Sequence, residues 1–273
     1  MRRKAKGREK IRLVLVSPVQ HAEAAGKLRA MSWTISRACG MALARKGLSR
    51  IQELGMALPV LTISSKNYGA WALRGWLMCR LAGWEVVEKT ISPDDPAMKA
   101  EILLLSSSVR VPSLLHGDVH VWDTLAIGEY LNELKPAAGL LPLDPKARAH
   151  CRSICGEMHS GFSALRSSLP MNLKARFSEF KVWSRAQADI DRVVDIWRDC
   201  FAAYGGPFLF GARPCMADAM YAPVVTRFLS YNVTLDDVCE AYCLQIMALP
   251  DMKEWVEAAL SEPDDIDELD AEF

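Results

Sequence analysis

The stretch from Ile63 to Trp76, ISSKNYGAWALRGW, opens as a strand should end and closes as a helix should begin. At the junction stand Ser64, Ser65, Lys66, Asn67 and Tyr68, with neither a cysteine nor a glycine-rich phosphate loop among them. Hydroxyl and amide donors gathered where a helix opens suit an electron-rich ligand atom, because the first N–H groups of a helix are unpaired and carry the positive end of its dipole. The same residues also make an ordinary polar turn. Asp123 and Thr124 precede LAIGEYLNEL in the same manner. An aspartate there caps the helix, worth about 1 kcal/mol, and the same geometry can grip a ligand's carboxylate. Val111-Pro112 starts a strand, where a proline is tolerated because no ladder donor is needed. His159, Phe162 and Arg166 are spaced by three and four, which places them on one face of a helix expected over 146–168. That spacing fits a site wall and equally an amphipathic helix with a polar edge.

These positions need elements to hold them. PVLTIS (59–64) reads as a strand, AWALRGWLMCRLAG (70–83) as a helix ending near Gly83, and WEVVEKTIS (84–92) as a second strand. A helix between two strands predicts that they run parallel. A loop and short helix follow. VPSLLHGDVHVW (111–122) turns at His116-Gly117-Asp118 and predicts an antiparallel hairpin. The order β-α-β-α-β-β-α is the thioredoxin pattern, here an α/β domain over 57–135. A Pro- and Gly-bearing linker over 136–145 leads to an all-α domain over 146–262, with helices expected at 146–168, 178–203, 216–230, 235–247 and 250–260. Pro223 predicts a kink in the third of these. SEPDDIDELDAEF closes the chain and is expected to fray, with 263–273 as an acidic tail.

Composition narrows the function classes. Lys+Arg and Asp+Glu both number 33 over 273 residues. Residues 1–55 carry 13 basic groups against 3 acidic, and the rest 20 against 30. The part expected to fold has no basic footprint, so a nucleic-acid partner is not expected. Nor does any run of 18 apolar residues call for a membrane span. The 1–55 segment is Arg-rich and acid-poor, which suits a targeting segment. The favoured reading is an upstream extension of the frame, poorly ordered, since Met56 opens MALPVLTIS as a natural first strand. Of the eight cysteines, Cys151 and Cys155, like Cys239 and Cys243, are four apart. No histidine or second pair stands at zinc-like spacing, so they read as buried free thiols, no metal is expected, and a cytoplasmic location follows.

Four motifs in order, NYGAWALR, VRVPSLLHGD, VWDTLAIGEYL and PCMADAMYAPVVTRF, resemble the bacterial cytosolic glutathione transferases over about residues 57–262. EMHSGFSALRSSLPMN resembles a proteobacterial subgroup near the zeta-type enzymes. The resemblance implies a thioredoxin-like domain followed by an all-helical one, glutathione as co-substrate, a small electrophile as second substrate, and a homodimer active in detoxification. It implies a cis Val111-Pro112 bond whose Val backbone pairs with the tripeptide, with Arg110 beside it. Asp123 and Thr124 would hold the γ-glutamyl end, Thr124 standing where a Ser is usual. The sulfur would face the start of the first helix, where the family's Ser or Cys falls on Asn67. An amide can donate to a thiolate but cannot take its proton; Ser65 and Tyr68 carry hydroxyls that could stand in. Tyr68, Trp71, His159, Phe162 and Arg166 would wall the second-substrate pocket. Asp218 would be a structural cap, weakened by Cys215 in place of Ser or Thr. With no cysteine nearer than Cys79, dithiol redox chemistry is excluded. Two readings stand beside conjugation: a zeta-like, maleylacetoacetate-type cis–trans isomerase, and a catalytically silent binding protein of the same fold.

Overall fold

The computed structural model describes residues 58–91 and 111–262. Residues 1–57, 263–273 and the expected loop and helix after the second strand, with Arg110, lie outside the described residues. Strand β1 (Val60–Ile63) is central: Leu61 and Ile63 are fully buried while Val60 and Thr62 are half-covered. It pairs in parallel with β2 (Val87–Thr90) and antiparallel with β3 (Ser113–His116), which pairs in turn with β4 (Val119–Trp122). The sheet order is β2-β1-β3-β4. Gly117, at φ +63°, supplies the left-handed residue that the hairpin turn requires.

Helix α1 (Ala70–Leu81) is buried on nearly every side, as an all-round apolar helix must be. It ends with Gly83 at φ +63°, whose N–H bonds the Arg80 carbonyl while the Trp84 N–H reaches Cys79, a glycine C-cap. Helix α2 (Thr124–Leu134) packs on α1. The expected first helix of the second half is two: α3 (Pro145–Ser160) and α4 (Ser163–Ser168). Between them Gly161 lies so close to the Glu157 carbonyl that a Cβ there would sit 2.8 Å from it, and Phe162 adopts φ 56°. The single helical face expected to carry His159, Phe162 and Arg166 therefore does not exist. Helix α5 (Ser184–Tyr204) starts six residues later than the periodicity predicts.

Helix α6 (Met216–Ser230) is the axis of the helical half and is almost wholly buried; it runs without interruption past Pro223. Its weak Cys215 cap is compensated by the fully buried Asp218, whose carboxylate accepts the N–H groups of Cys215 (2.8 Å) and Leu209 (3.1 Å) and the Tyr242 hydroxyl (3.1 Å). Helices α7 (Asp237–Met247) and α8 (Pro250–Leu260) complete the chain order. Trp255 of α8 meets Trp76 of α1 at 5.1 Å between ring centroids, so α8 is tied to the sheet-bearing half. The seven described cysteines are free and buried. Burial pushes the thiols of Cys79, Cys200, Cys239 and Cys243 up to about 12.

Candidate active site

The β1–α1 turn is held by a residue far along the chain. One carboxylate oxygen of Glu262 accepts the Lys66 N–H at 2.6 Å; the other accepts the Ser65 hydroxyl at 2.7 Å and the Asn67 N–H at 3.0 Å. Ser65 Oγ also accepts the N–H groups of Asn67 (3.0 Å) and Tyr68 (3.2 Å), so its hydrogen and its lone pairs are all engaged. Tyr68 is buried. Gly69 closes the turn: a Cβ at that position would lie 2.3 Å from the Ser65 carbonyl and 2.5 Å from Ser64 Oγ, which is why no side chain precedes Ala70 there.

Asn67 is fully buried. Its Oδ1 accepts the N–H groups of Leu173 (2.7 Å) and Lys174 (3.1 Å), which fixes the orientation of the amide and ties the turn to the helical half. Its Nδ2 meets no acceptor among the described residues. A buried amide donor left unspent costs about 1–3 kcal/mol.

The second half of the site lies where β4 passes into α2. The Val111–Pro112 peptide bond is cis. Pro112 packs onto α1 at Gly75, where an added Cβ would come within 2.7 Å of the proline ring. Asp123, at φ 78° and ψ 136°, caps α2: its Oδ1 accepts the N–H groups of Leu125 (2.8 Å) and Ala126 (3.3 Å). Its second oxygen, Oδ2, meets His159 Nε2 at 2.5 Å. Thr124 is buried, and its Oγ1 has no hydrogen-bond partner among the described residues.

Trp71 joins these parts. Its ring lies 5.3 Å from the His159 ring, with the Arg74 guanidinium 4.4 Å and the Arg166 guanidinium 5.4 Å from its centroid. Arg74 is fully buried and donates to the carbonyls of Met220 (2.8 Å) and Ala70 (3.4 Å) and to the Met158 sulfur (3.1 Å). Burial, then the charges of Arg227 and Arg166, hold its pKa well below the usual arginine range. Arg227, also buried, donates to the Leu169 and Pro223 carbonyls, and burial lowers it to about 10. Arg166 is lowered by burial as well.

Of the residues singled out from the sequence, Asp123, Trp71, His159 and Arg166 come together despite the broken helix. Phe162 is instead 7 % exposed, part of the core at the bend, and does not stand on a face shared with His159. Glu262, Arg74 and Arg227 were missed. A charged residue inside the apolar WALRGW run is the signal that could have marked Arg74; nothing near Glu262 announces its role.

A thioredoxin-type sheet is followed by an all-helical second half, and a buried unpaired donor stands near the opening of each of two helices. The description "Glutathione S-transferase, N-terminal domain" matches residues 68–134, and "Glutathione S-transferase, C-terminal domain" matches 180–258. The "Probable maleylacetoacetate isomerase" of Caenorhabditis elegans is 30% identical over 177 residues, which span 65% of this chain and 82% of that protein. The chain belongs to the glutathione S-transferase family. Among other members, the maleylacetoacetate isomerase of Rattus norvegicus is 26% identical over 178 residues, 65% of this chain and 81% of the rat protein. The fold matches a crystal structure titled as a glutathione transferase homolog from Burkholderia gl BGR1 with bound glutathione. The TM-score is 0.57 at 20% identity, covering 76% of this chain and all of that one. Helices α1 and α2, whose openings carry these two sets of donors, pack against each other. Among the described residues no helix is long and apolar enough to cross a membrane.

Proposed function

We propose that the protein is a glutathione transferase that binds glutathione as its thiolate and adds the sulfur to a small electrophile. The observation that carries this reading is a pair of buried, unspent donors, Asn67 Nδ2 and Thr124 Oγ1, each at the opening of one of two packed helices. A ligand with an acceptor at either end recovers the cost of both. The Thr124 hydroxyl and the free N–H groups of α2 receive the γ-glutamyl carboxylate, and Oδ2 of Asp123 receives its ammonium. The Val111 backbone pairs with the tripeptide. Asn67 Nδ2 donates to the sulfur, and with the start of α1 it favours the thiolate over the thiol, whose ordinary pKa is about 8.5. Asn67 accepts no proton, so the thiol proton leaves to solvent. The sulfur lone pair then forms the C–S bond to the electrophile, whose leaving group departs with its bonding pair (chloride from a chlorodinitrobenzene) or, in an addition, whose π pair takes up a proton from solvent. The Ser65 hydroxyl is spent on Glu262, whereas Asn67 Nδ2 is unspent.

The test is direct. Millimolar glutathione should raise the melting temperature, the thiol pKa should fall in the complex, and a chlorodinitrobenzene-type electrophile should be turned over. No thermal shift at all would exclude a glutathione site; a shift without turnover would mark a silent binding protein. A homodimer in the cytoplasm accompanies this reading, the dimer checked by light scattering.

One observation favours a glutathione-dependent isomerase as the second reading. The guanidinium groups of Arg74 and Arg166 flank Trp71, and after burial the charges of Arg227 and Arg166 lower the Arg74 pKa. Such positive charge suits an electrophile bearing carboxylates, and two of the relatives are named maleylacetoacetate isomerases. In that case the sulfur adds, the double bond rotates, and the sulfur leaves again. An unsaturated dicarboxylate converted with no loss of free glutathione would identify this route.

A further inference from the structure

We propose that Glu262 is a positioning residue of this reaction, the acceptor that fixes the turn carrying Asn67. The inference rests on the reading of Asn67 as the donor to sulfur. Three consecutive residues converge on one carboxylate: the Ser65 hydroxyl at 2.7 Å, the Lys66 N–H at 2.6 Å and the Asn67 N–H at 3.0 Å. Successive N–H groups that point to one place form a nest for an anion, and bonds to an ionised acceptor are about twice as strong as neutral ones. Glu262 is itself held in place. Its N–H bonds the Ala259 carbonyl at 3.2 Å, and its own carbonyl accepts Lys174 Nζ at 2.8 Å. From α8, Trp255 Nε1 donates to the Lys66 carbonyl at 2.9 Å, so the turn is met on both its N–H and its C=O side.

The consequence concerns Asn67. Its backbone N–H is fixed by Glu262 and Ser65, and its side-chain oxygen by the 173–174 backbone. With both ends restrained, the direction of Nδ2 is set before any ligand arrives. Nothing in the Asp123 and Thr124 half of the site touches Glu262 among the described bonds, so binding of the γ-glutamyl end does not depend on it. Removing the carboxylate strands the Lys66 N–H and the Ser65 hydroxyl, leaves the Asn67 N–H with Ser65 Oγ alone and loosens the turn, while the grip on the other end of glutathione stays. Loss should therefore appear in kcat and in the thiol pKa, not in KM for glutathione.

The experiment compares the full-length wild type with Glu262→Ala and Glu262→Gln, with and without sodium acetate as a small carboxylate able to enter the vacated nest. Wild-type turnover and glutathione binding are measured first, because their absence would overturn the transferase reading and not this one. Given an active wild type, Glu262→Ala should lose roughly 10- to 100-fold in kcat, the scale of a misplaced catalytic group, with KM for glutathione within about twofold. Glu262→Gln, which keeps one carbonyl acceptor, should lie between the two. Acetate should restore kcat and lower the bound thiol pKa in Glu262→Ala while leaving wild type unchanged. An unaltered kcat, or a loss that acetate does not recover in soluble folded protein, would overturn the assignment. Should Glu262→Ala fail to fold, the test is read from Glu262→Gln without the acetate arm: a lower kcat and raised bound-thiol pKa with KM for glutathione unchanged supports the assignment, and an unaltered kcat overturns it.

Discussion

Replacing Asp123 by asparagine separates two roles that share one side chain. Oδ1 of Asp123 caps α2 through the N–H groups of Leu125 and Ala126, and its other oxygen faces outward to His159. Asparagine offers the same carbonyl to the cap and tolerates the positive φ of 78° at this position. Asn and Asp rank together as N-caps, so the cap's contribution of about 1 kcal/mol should survive. What goes is the charge proposed to receive the glutathione ammonium. A hydrogen bond to a charged group is worth about 1.5–3 kcal/mol, and the Asp123 side chain is 38% exposed, so solvent screening pulls the figure to the lower end. At about 1.4 kcal/mol per decade, Asp123→Asn should weaken glutathione binding about tenfold. Calorimetric titration reads the affinity and urea unfolding reads stability, expected within about 0.5 kcal/mol of wild type. A glutathione analogue without the amino group should bind both proteins equally. Asp123→Ala, by contrast, should lose stability as well, since alanine gives up the cap and resists positive φ. Unchanged glutathione affinity in Asp123→Asn, or an equal loss with the amino-free analogue, would refute the placement of the ammonium.

Other expectations follow from the same geometry. Thr124→Val removes a buried unpaired hydroxyl, so it should stabilise the free protein by about 1 kcal/mol while raising KM for glutathione, read by thermal unfolding and steady-state kinetics. Asn67→Ala should cost about 1–3 kcal/mol through the stranded Leu173 N–H group, the Lys174 N–H keeping Asn172 Oδ1 at 3.1 Å, and should slow conjugation; normal turnover would remove Asn67 from the chemistry. Gly69→Ala drives a Cβ to 2.3 Å from the Ser65 carbonyl and should cost about 1–3 kcal/mol by overpacking, measured by urea unfolding. On the acid side, Arg192 holds the Glu157 carboxyl below its ordinary range through their hydrogen bond, and the Cys239 N–H does the same first of all for Asp236. A depressed carboxylate contributes stability above the ordinary carboxylate range that is lost as pH falls through the folded-state value. The urea midpoint should therefore drop on acidification, and less steeply in Glu157→Gln.

The sheet was legible because its cues are local. The alternation of VLTI, the apolar helix that must cross back over it, and the Gly117-Asp118 turn each state their geometry within a few residues. Asp123 could be read in the same way, as a capping residue before an amphipathic run. What stayed hidden depends on close approach between distant segments. The break at Gly161 is set by the backbone around Glu157 and by the burial of Phe162, while the three-and-four spacing looks helical throughout. Glu262 sits in an acidic, Pro-containing stretch that reads as a fraying tail. It is ordered by partners almost 200 positions upstream, and no periodicity reports that. Asn67 was located by its place in the turn, but its attachment to residues 173 and 174 could only be seen once the two halves were folded together.

The burial of the thiols bears on self-protection. A protein that collects electrophiles beside a reactive sulfur risks alkylating itself. With thiols held near 12 by burial, only roughly one in 100,000 copies of each is ionised at neutral pH, and the thiolate is the species that reacts. These four thiols are thus kept inert while the sulfur of the co-substrate is activated, and iodoacetamide should label these four cysteines only after the protein is unfolded.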